Sequence, residues 1–202
     1  MIQAQGFVEA PLLDELFRLS KRPRPEDAQQ ALRDVRVQDT ALAIAQKMRH
    51  LAMEEDATRA KSGERDRINY RGFYVGGVGI GVGLGRRSSV PYEWWAFAAT
   101  NTKPSKKAAK YCAEMRIIRA AKEVRCVCIG GLVVLGENQP DGRSGELRKT
   151  LDPCGECRDC MRSPSNRYLF RQRTLIVTAQ PLSQVRYVET LPRMMTAHHE
   201  KW

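Results

Sequence analysis

The sequence lacks any apolar run long enough to span a lipid bilayer. Its start, MIQAQGFVEAPLLDEL, also lacks the basic segment and the apolar stretch of a secretory signal. Histidine is scarce, and none of the three histidines falls within a recognisable motif. We therefore expect an intracellular, cytoplasmic protein without a membrane partner, whose six cysteines are reduced thiols rather than a disulfide framework.

Positive charge is unevenly distributed along the chain. Residues 1–66 carry 11 Lys and Arg against 12 Asp and Glu, whereas residues 67–202 carry 23 against 11. The second part is therefore basic, which favours an anionic partner such as a nucleotide, a nucleic acid or an acidic protein surface. A solvated basic face explains the same surplus equally well.

Two patterns divide the chain. Residues 1–66 are predicted to be helical, with an apolar stripe from Glu26 to about Arg59. That stripe consists of Ala31, Val35, Leu42, Ala45, Met48, Leu51 and Ala52. Residues 67–202 alternate strands with helices in the order ββαβαβ. We predict an α/β sandwich with a mixed sheet and at least one parallel strand pair, in which a helical N-terminal extension (1–66) precedes the main domain (67–202).

A glycine-rich segment, FYVGGVGIGVGLG, is predicted to be a strand rather than a dinucleotide-binding loop, because glycine alternates with apolar residues throughout it. One face of this strand is apolar and the other is bare backbone. Bare glycine in a strand indicates close approach of another backbone.

Two cysteine motifs are each predicted to begin a helix: Cys112-Ala113-Glu114 and Pro153-Cys154-Gly155-Glu156-Cys157. A Cys-x-x-Cys pair at a helix start is a well-shaped chelate, because both thiolates can turn toward one point and the positive helix end favours their ionised form. A third thiolate, from Cys112, leaves one of zinc's four positions open, which is typical of a catalytic site. Glu114 could reach that position and carry protons.

The cysteine pair alone has other interpretations. It could be a thioredoxin-like redox pair, and with Cys160 it resembles part of an iron–sulfur motif that would leave Cys112 unused. Cys126 and Cys128 are expected to share one strand face as buried small hydrophobes. The adjacent Trp94 and Trp95 are expected to point to opposite faces of their strand.

The pairing of Cys-Ala-Glu with Pro-Cys-Gly-x-Cys-Arg resembles the zinc-dependent cytidine deaminase family, over roughly residues 68–180. The resemblance implies a cytidine deaminase-like α/β/α sandwich, zinc held by Cys112, Cys154 and Cys157, and Glu114 as the catalytic proton carrier. It also implies that Phe73 and Val75 line the base pocket and that Asn101 binds the sugar. In addition, it implies that Arg158 offsets the thiolate charge and that the protein forms a homo-oligomer.

One departure from the family pattern concerns the substrate. Lys103 stands where the family has a sugar-binding glutamate, and a lysine attracts phosphate instead. Further basic and aromatic residues are candidate contacts to a single-stranded nucleic acid: Lys106, Lys107, Lys110, Arg167, Tyr168, Phe170 and Arg171. A solvated loop with two core aromatics explains the same residues.

Three functions follow from this sequence. The first is a zinc-dependent hydrolytic deaminase that converts cytosine to uracil in a nucleoside or nucleotide. The second is a cytosine deaminase acting on single-stranded DNA or RNA. The third is a non-catalytic zinc-containing subunit that binds RNA or protein, although such a subunit has no need of Glu114.

Overall fold

The chain has a mixed α/β fold. A computed structural model describes residues 10–62, 73–85, 91–102, 112–137, 153–181 and 186–191, apart from the side chains of Ala10, Arg171 and Gln172. The helices within these ranges are α1 (Ala10–Leu19), α2 (Pro25–Ala31), α3 (Val35–Lys61), α4 (Ala113–Glu123) and α5 (Gly155–Arg162). The strands are β1 (Val75–Leu84), β2 (Tyr92–Thr100), β3 (Cys126–Gly136), β4 (Phe170–Ala179) and β5 (Arg186–Thr190). None of the helices in the described ranges has the length and apolar content that crossing a bilayer requires.

The five strands form one sheet in the order β2-β1-β3-β4-β5. Strand β1 is antiparallel to β2 and β3, β4 is antiparallel to β5, and β3 is parallel to β4. The predicted parallel pairing is therefore confirmed. Val75 at the start of β1 pairs with Gly136 at the end of β3, and Gly76 pairs with Thr100 at the end of β2. β2 and β3 therefore end on the same side of the sheet, beside the start of β1, and the segments that lead to α4 and α5 begin there.

Helices α1, α2 and α3 cover one face of the sheet. Leu12 and Leu16 of α1 and Val37 and Ala41 of α3 are fully buried. They belong to one apolar cluster with sheet residues that point the same way, among them Val78, Ile80, Val82, Trp94, Val133, Leu135 and Val177. The helices before residue 66 thus form one layer of the sandwich, and the predicted domain boundary there stays a prediction.

The region from Glu26 to about Arg59, predicted to be helical with one apolar stripe, contains two helices, α2 and α3. The carboxylate of Asp34 accepts hydrogen bonds from the backbone N–H groups of Arg36 (2.9 Å) and Val37 (3.3 Å), and so caps the start of α3. Because α3 is a separate helix, its buried face does not follow the helical periodicity of α2. Val35 and Leu51, assigned to the apolar stripe, are 62% and 41% exposed, so the predicted stripe is wrong at these two positions.

Glycine in β1 lets a helix approach the sheet closely. A Cβ atom on Gly76 would lie 1.8 Å from the carbonyl oxygen of Ala45 in α3, far inside van der Waals contact. The predicted approach of another backbone is confirmed there, one residue before the alternating run. On the opposite face, a Cβ atom on Gly79 would lie 2.5 Å from the side chain of Ile117 in α4. The glycines therefore set the distance between the sheet and both helical layers.

The substitution Gly76→Ala should lower the free energy of unfolding by about 2–3 kcal/mol, because the added methyl meets backbone that no rotamer change can move. Gly155→Ala is the control, since a Cβ atom there has nothing within 4 Å and alanine favours a helix. Urea denaturation of the metal-free variants measures both values. Equal stability of the two variants would contradict the packing described here.

Helix α4 and part of α5 cover the other face. Ile117 and Ile118 of α4, Met161 of α5 and Leu132 and Ile176 of the sheet belong to a second apolar cluster. Trp94 lies in the first cluster, whereas Trp95 packs against the second, which confirms that the two rings point to opposite faces. The protein is thus layered as helices, sheet and helices.

Cys126 and Cys128 are both buried, as predicted, but they do not share a face of β3. Consecutive residues of β1 pair with Cys128 and Cys126, so Val127 is an extra residue in β3, a β-bulge that reverses the alternation. Cys126 belongs to the cluster under α4, whereas the thiol of Cys128 donates to the carbonyl of Pro25 in α2 at 3.8 Å.

Candidate metal centre

The starts of α4 and α5 bring three cysteines together. Cys112 is the N-cap residue of α4 and Cys154 is the N-cap residue of α5, each with an extended backbone. Cys157 follows in the first turn of α5 and is fully buried. Both helix starts direct unpaired N–H groups and the positive end of a helix dipole toward this region, which favours negatively charged sulfur.

The sulfur atoms have the spacing of a metal chelate. The Sγ atom of Cys154 lies 3.9 Å from that of Cys112 and 3.4 Å from that of Cys157. All three Sγ atoms lie within 4.8 Å of one another. Zn–S bonds of about 2.3 Å at the tetrahedral angle place two sulfurs about 3.8 Å apart. The three thiols can therefore hold one metal ion with little rearrangement.

The proximity and burial of the thiols raise the pKa of Cys112 and Cys157. Hydrogen bonding with Cys154, burial and the charge of Glu114 raise the pKa of Cys112 to about 12. Hydrogen bonding with Cys112 and Cys154, together with burial, raises the pKa of Cys157 far above its ordinary value. Three thiolates this close repel one another, and a bound cation would offset this repulsion and favour loss of the protons. The donor set therefore fits a metal ion.

Glu114 lies beside the thiols in the first turn of α4. Its side chain is buried, with 7% of the residue exposed, and its charge raises the pKa of both Cys112 and Cys157. This electrostatic coupling places the carboxylate close to the sulfurs of Cys112 and Cys157. Glu114 is thus positioned to act at the metal rather than at the surface.

Asn101 holds two strand ends together at the same edge of the sheet. Its side-chain oxygen accepts a hydrogen bond from the Val75 N–H at 2.8 Å, and its amide nitrogen donates to the Phe73 carbonyl at 2.8 Å. Val75 is buried, and Phe73 is half-buried against the α4-side cluster. The structure therefore brings together three of the four residues predicted to bind substrate, with Asn101 orienting Phe73 and Val75, while the fourth, Lys103, lies outside the described residues.

Replacing Asn101 by Ala should lower the free energy of unfolding by about 2 kcal/mol, because it leaves the Val75 N–H and the Phe73 carbonyl without this partner. Thr100→Val is the matched comparison. The Thr100 hydroxyl donates to the Val75 carbonyl at 3.0 Å, but that carbonyl keeps the Asn101 N–H, so the loss should be about 1 kcal/mol. Thermal and urea denaturation measure the difference, and the reverse order would contradict the assigned role of Asn101.

Two arginines flank the cluster. Arg158 donates through Nη1 to the Pro153 carbonyl at 3.2 Å and so closes the turn that carries Cys154. Its predicted part in offsetting thiolate charge stays a prediction. Arg116 has no counterpart in the sequence prediction; its Nη1 donates to the Thr100 carbonyl (3.1 Å) and to the Thr102 hydroxyl (3.3 Å).

Arg116 is half-buried, and this burial, followed by the charge of Arg119, lowers its pKa. Arg116 lies two residues after the Cys112-Ala113-Glu114 motif, and this closeness in sequence could have identified it as a residue near the site. Its hydrogen bonds restrain the end of β2 next to Asn101.

The remaining predicted residues are distributed differently. Lys103, Lys106, Lys107 and Lys110 and the side chain of Arg171 lie outside the described residues. Phe170 is buried at the start of β4, whereas Arg167 and Tyr168 are exposed at the end of α4 that is remote from the thiols.

Cys160 does not belong to the thiol cluster. The metal-capable group found among the described residues contains Cys112, Cys154 and Cys157 alone. Cys160 is half-buried, and its sulfur accepts a hydrogen bond from the side-chain amide of Asn166 at 3.1 Å. This arrangement favours a three-thiol site that includes Cys112 over the iron–sulfur interpretation, which uses Cys160 in its place.

Comparison with known proteins identifies no relative: no family model matches the chain, and no curated protein is detectably similar to it in sequence.

Proposed function

We propose that the protein is a zinc-dependent hydrolytic deaminase that converts cytosine to uracil in a nucleoside or nucleotide. One observation carries the proposal: three cysteine sulfurs at chelating distance, at the starts of two adjacent helices, with the buried carboxylate of Glu114 beside them. A structural zinc site uses four protein ligands, whereas three ligands and a neighbouring carboxylate are typical of a hydrolytic site.

Zinc is the metal that suits this donor set best. Thiolates are soft ligands that favour zinc, copper(I) and iron–sulfur clusters, and the sulfur separations of 3.4 and 3.9 Å are close to those of a tetrahedral zinc site. When bound, zinc supplies an open fourth position at which a water molecule loses a proton more readily than in bulk solvent. The sulfurs of Cys112, Cys154 and Cys157 hold the metal, and the two helix dipoles offset part of their negative charge.

Glu114 moves the protons of the reaction. Its carboxylate accepts a proton from water as the water oxygen attacks C4 of the cytosine ring. It first delivers that proton to the ring nitrogen next to C4. Glu114 then removes the remaining proton from the oxygen on C4 and transfers it to the exocyclic amine. The C4–N bond breaks as the C4=O bond forms, so that water and cytosine give uracil and ammonia. Burial of Glu114 keeps this carboxylate out of bulk solvent, where the proton would exchange.

Phe73, Val75 and Asn101 would receive the base and the sugar of the substrate. Phe73 and Val75 lie at the edge of the sheet from which the segments to α4 and α5 depart, and Asn101 restrains both. The mixed sheet with its helices on both faces supports a cytidine deaminase-like sandwich as the fold. The proposal also includes assembly of the protein into a homo-oligomer, which the family resemblance implies.

The test offers the zinc-loaded protein equal amounts of cytidine, cytidine monophosphate and a cytosine-containing single strand, and measures the uracil formed in each by chromatography. We expect uracil from the two monomers. Uracil in the strand alone would move the activity to polynucleotides. No uracil from any of the three, with zinc content confirmed, would contradict the deaminase assignment.

A further inference from the structure

A basic surface lies at the end of α4 that is remote from the thiols. This basic groove, with a volume of about 620 Å³, is lined by Leu84, Lys122, Arg125, Cys126, Val127, Arg167 and Tyr168. Cys112 precedes α4, whereas Lys122 lies in its last turn. At about 1.5 Å per residue, the 11 residues of α4 separate the two sites by about 16 Å. The basic groove is therefore distinct from the candidate metal centre.

The lining of the basic groove is cationic and partly aromatic. Among the described residues that line it, Lys122, Arg125 and Arg167 are positively charged and none is acidic. Tyr168 is 51% exposed and Leu84 is 55% exposed, so both side chains are accessible to a bound partner. The carboxyl end of a helix attracts cations with about half an elementary charge. Three full positive charges exceed what the end of α4 balances.

Arg125 has a left-handed backbone conformation directly after the C-cap residue of α4. Its φ angle is 53°, and of the described residues it is the one non-glycine with a positive φ. It follows the end of α4, where its N–H donates to the Lys122 carbonyl at 3.1 Å. Glycine is the residue favoured at such a helix end, because any Cβ atom is crowded there. Arginine at this position adds a cation to the groove while it destabilises the fold.

We propose that the basic groove binds single-stranded nucleic acid independently of its base sequence. The phosphates lie beside Lys122, Arg125 and Arg167, and one base stacks on the exposed ring of Tyr168. A cationic groove with an exposed aromatic fits a strand better than an acidic peptide, which has carboxylates for the cations but no planar group for the ring. This binding does not rest on the proposed function, because neither the thiols nor Glu114 contributes to the groove.

The experiment measures binding of the full-length protein to a fluorescein-labelled oligothymidylate by fluorescence anisotropy. The probe contains no cytosine, so it tests the groove and not the deaminase site. Salt is varied from about 50 to 200 mM, and the slope of log K against log salt reports the phosphate contacts. Arg125→Gly and Arg167→Gln should each make the slope shallower by about 0.7 and weaken binding severalfold at low salt. Arg33→Gln is the matched control, because Arg33 is exposed after α2 on the opposite layer.

Two further variants separate recognition from folding and from simple charge attraction. Arg125→Gly should keep or raise the melting temperature while binding weakens, because glycine relieves the positive φ. Tyr168→Ala should weaken binding at least about fivefold with an unchanged salt slope, because it removes stacking but no charge. The proposal is overturned if the groove variants bind like Arg33→Gln. It is equally overturned if polyglutamate competes as well as the strand and Tyr168→Ala changes nothing.

Discussion

Replacing Glu114 by Gln should lower the rate of cytosine deamination by about 10²- to 10⁴-fold while the protein keeps its metal. Gln has the shape of Glu but cannot accept and return a proton, so the step that needs a base and an acid loses both. The thiols of Cys112, Cys154 and Cys157 are unchanged, so metal content per chain should match the wild type. Uracil formation under saturating cytidine and elemental analysis of the same sample measure the two quantities.

Glu156→Gln is the control for this prediction. Glu156 lies in the first turn of α5, as Glu114 lies in the first turn of α4, but it is exposed. Its loss removes the same charge near the thiols and should change the rate little. A Glu114 variant that retains turnover, or a Glu156 variant that loses it equally, would contradict the proton-transfer role and leave only a general electrostatic effect.

Zinc should stabilise the wild-type protein strongly, and Cys157→Ser should remove that stabilisation. At a free zinc concentration about a hundredfold above Kd, a site present only in the folded state adds about 2.7 kcal/mol. For a chain of 202 residues this raises Tm by about 5 to 10 °C. A hydroxyl in place of the fully buried Cys157 thiol is a poor ligand, so metal affinity should fall more than about a hundredfold.

Cys160→Ser is the matched control, because Cys160 is on the same helix, three residues further on, and outside the thiol cluster. Its variant should keep the zinc-induced increase in Tm. Calorimetric scans with and without zinc, in the presence of a non-thiol reductant, measure the effect for each protein. If Cys160→Ser loses the increase as Cys157→Ser does, the metal uses the clustered Cys-x-x-Cys-x-x-Cys run, and the three-thiol site is wrong. A wild-type Tm that is insensitive to zinc would favour the redox interpretation of Cys154 and Cys157, whose sulfurs lie 3.4 Å apart.

The chemistry of the site could be predicted because it depends on residue types at short spacing. Cys154 and Cys157 are three residues apart at a helix start, which brings both sulfurs to one side wherever that helix lies. Cys112 was expected to join them because its motif also begins a helix and a third thiolate leaves one zinc position open, and the structure brings its sulfur to 3.9 Å from that of Cys154. The alternation of glycine with apolar residues in β1 likewise indicated a strand that another backbone approaches closely.

Other features depended on contacts that no local pattern encodes. The chain breaks before α3 because the Asp34 side chain caps the start of that helix. The capped break and a continuous helix differ by only a small free energy. The opposite orientations of Cys126 and Cys128 follow from one extra residue in β3, set by how β1 and β3 pair. The sequence patterns did not identify Arg116, or Lys122 and Arg125 of the basic groove, as site residues. A charged residue on or just after a helix has the same sequence pattern whether its side chain is solvated or lines a site.

By itself, then, the amino-acid sequence determined which atoms are available for chemistry: three thiols, one adjacent carboxylate and an excess of positive charge after residue 66. It also determined the α/β class, because the periodicities of helix and strand are local. Only the tertiary structure decided which of these groups meet. It placed the starts of α4 and α5 side by side and sent Arg167 and Tyr168 to the other end of α4. The physical reason is that proximity between distant residues is set by packing of the whole core, to which every layer contributes.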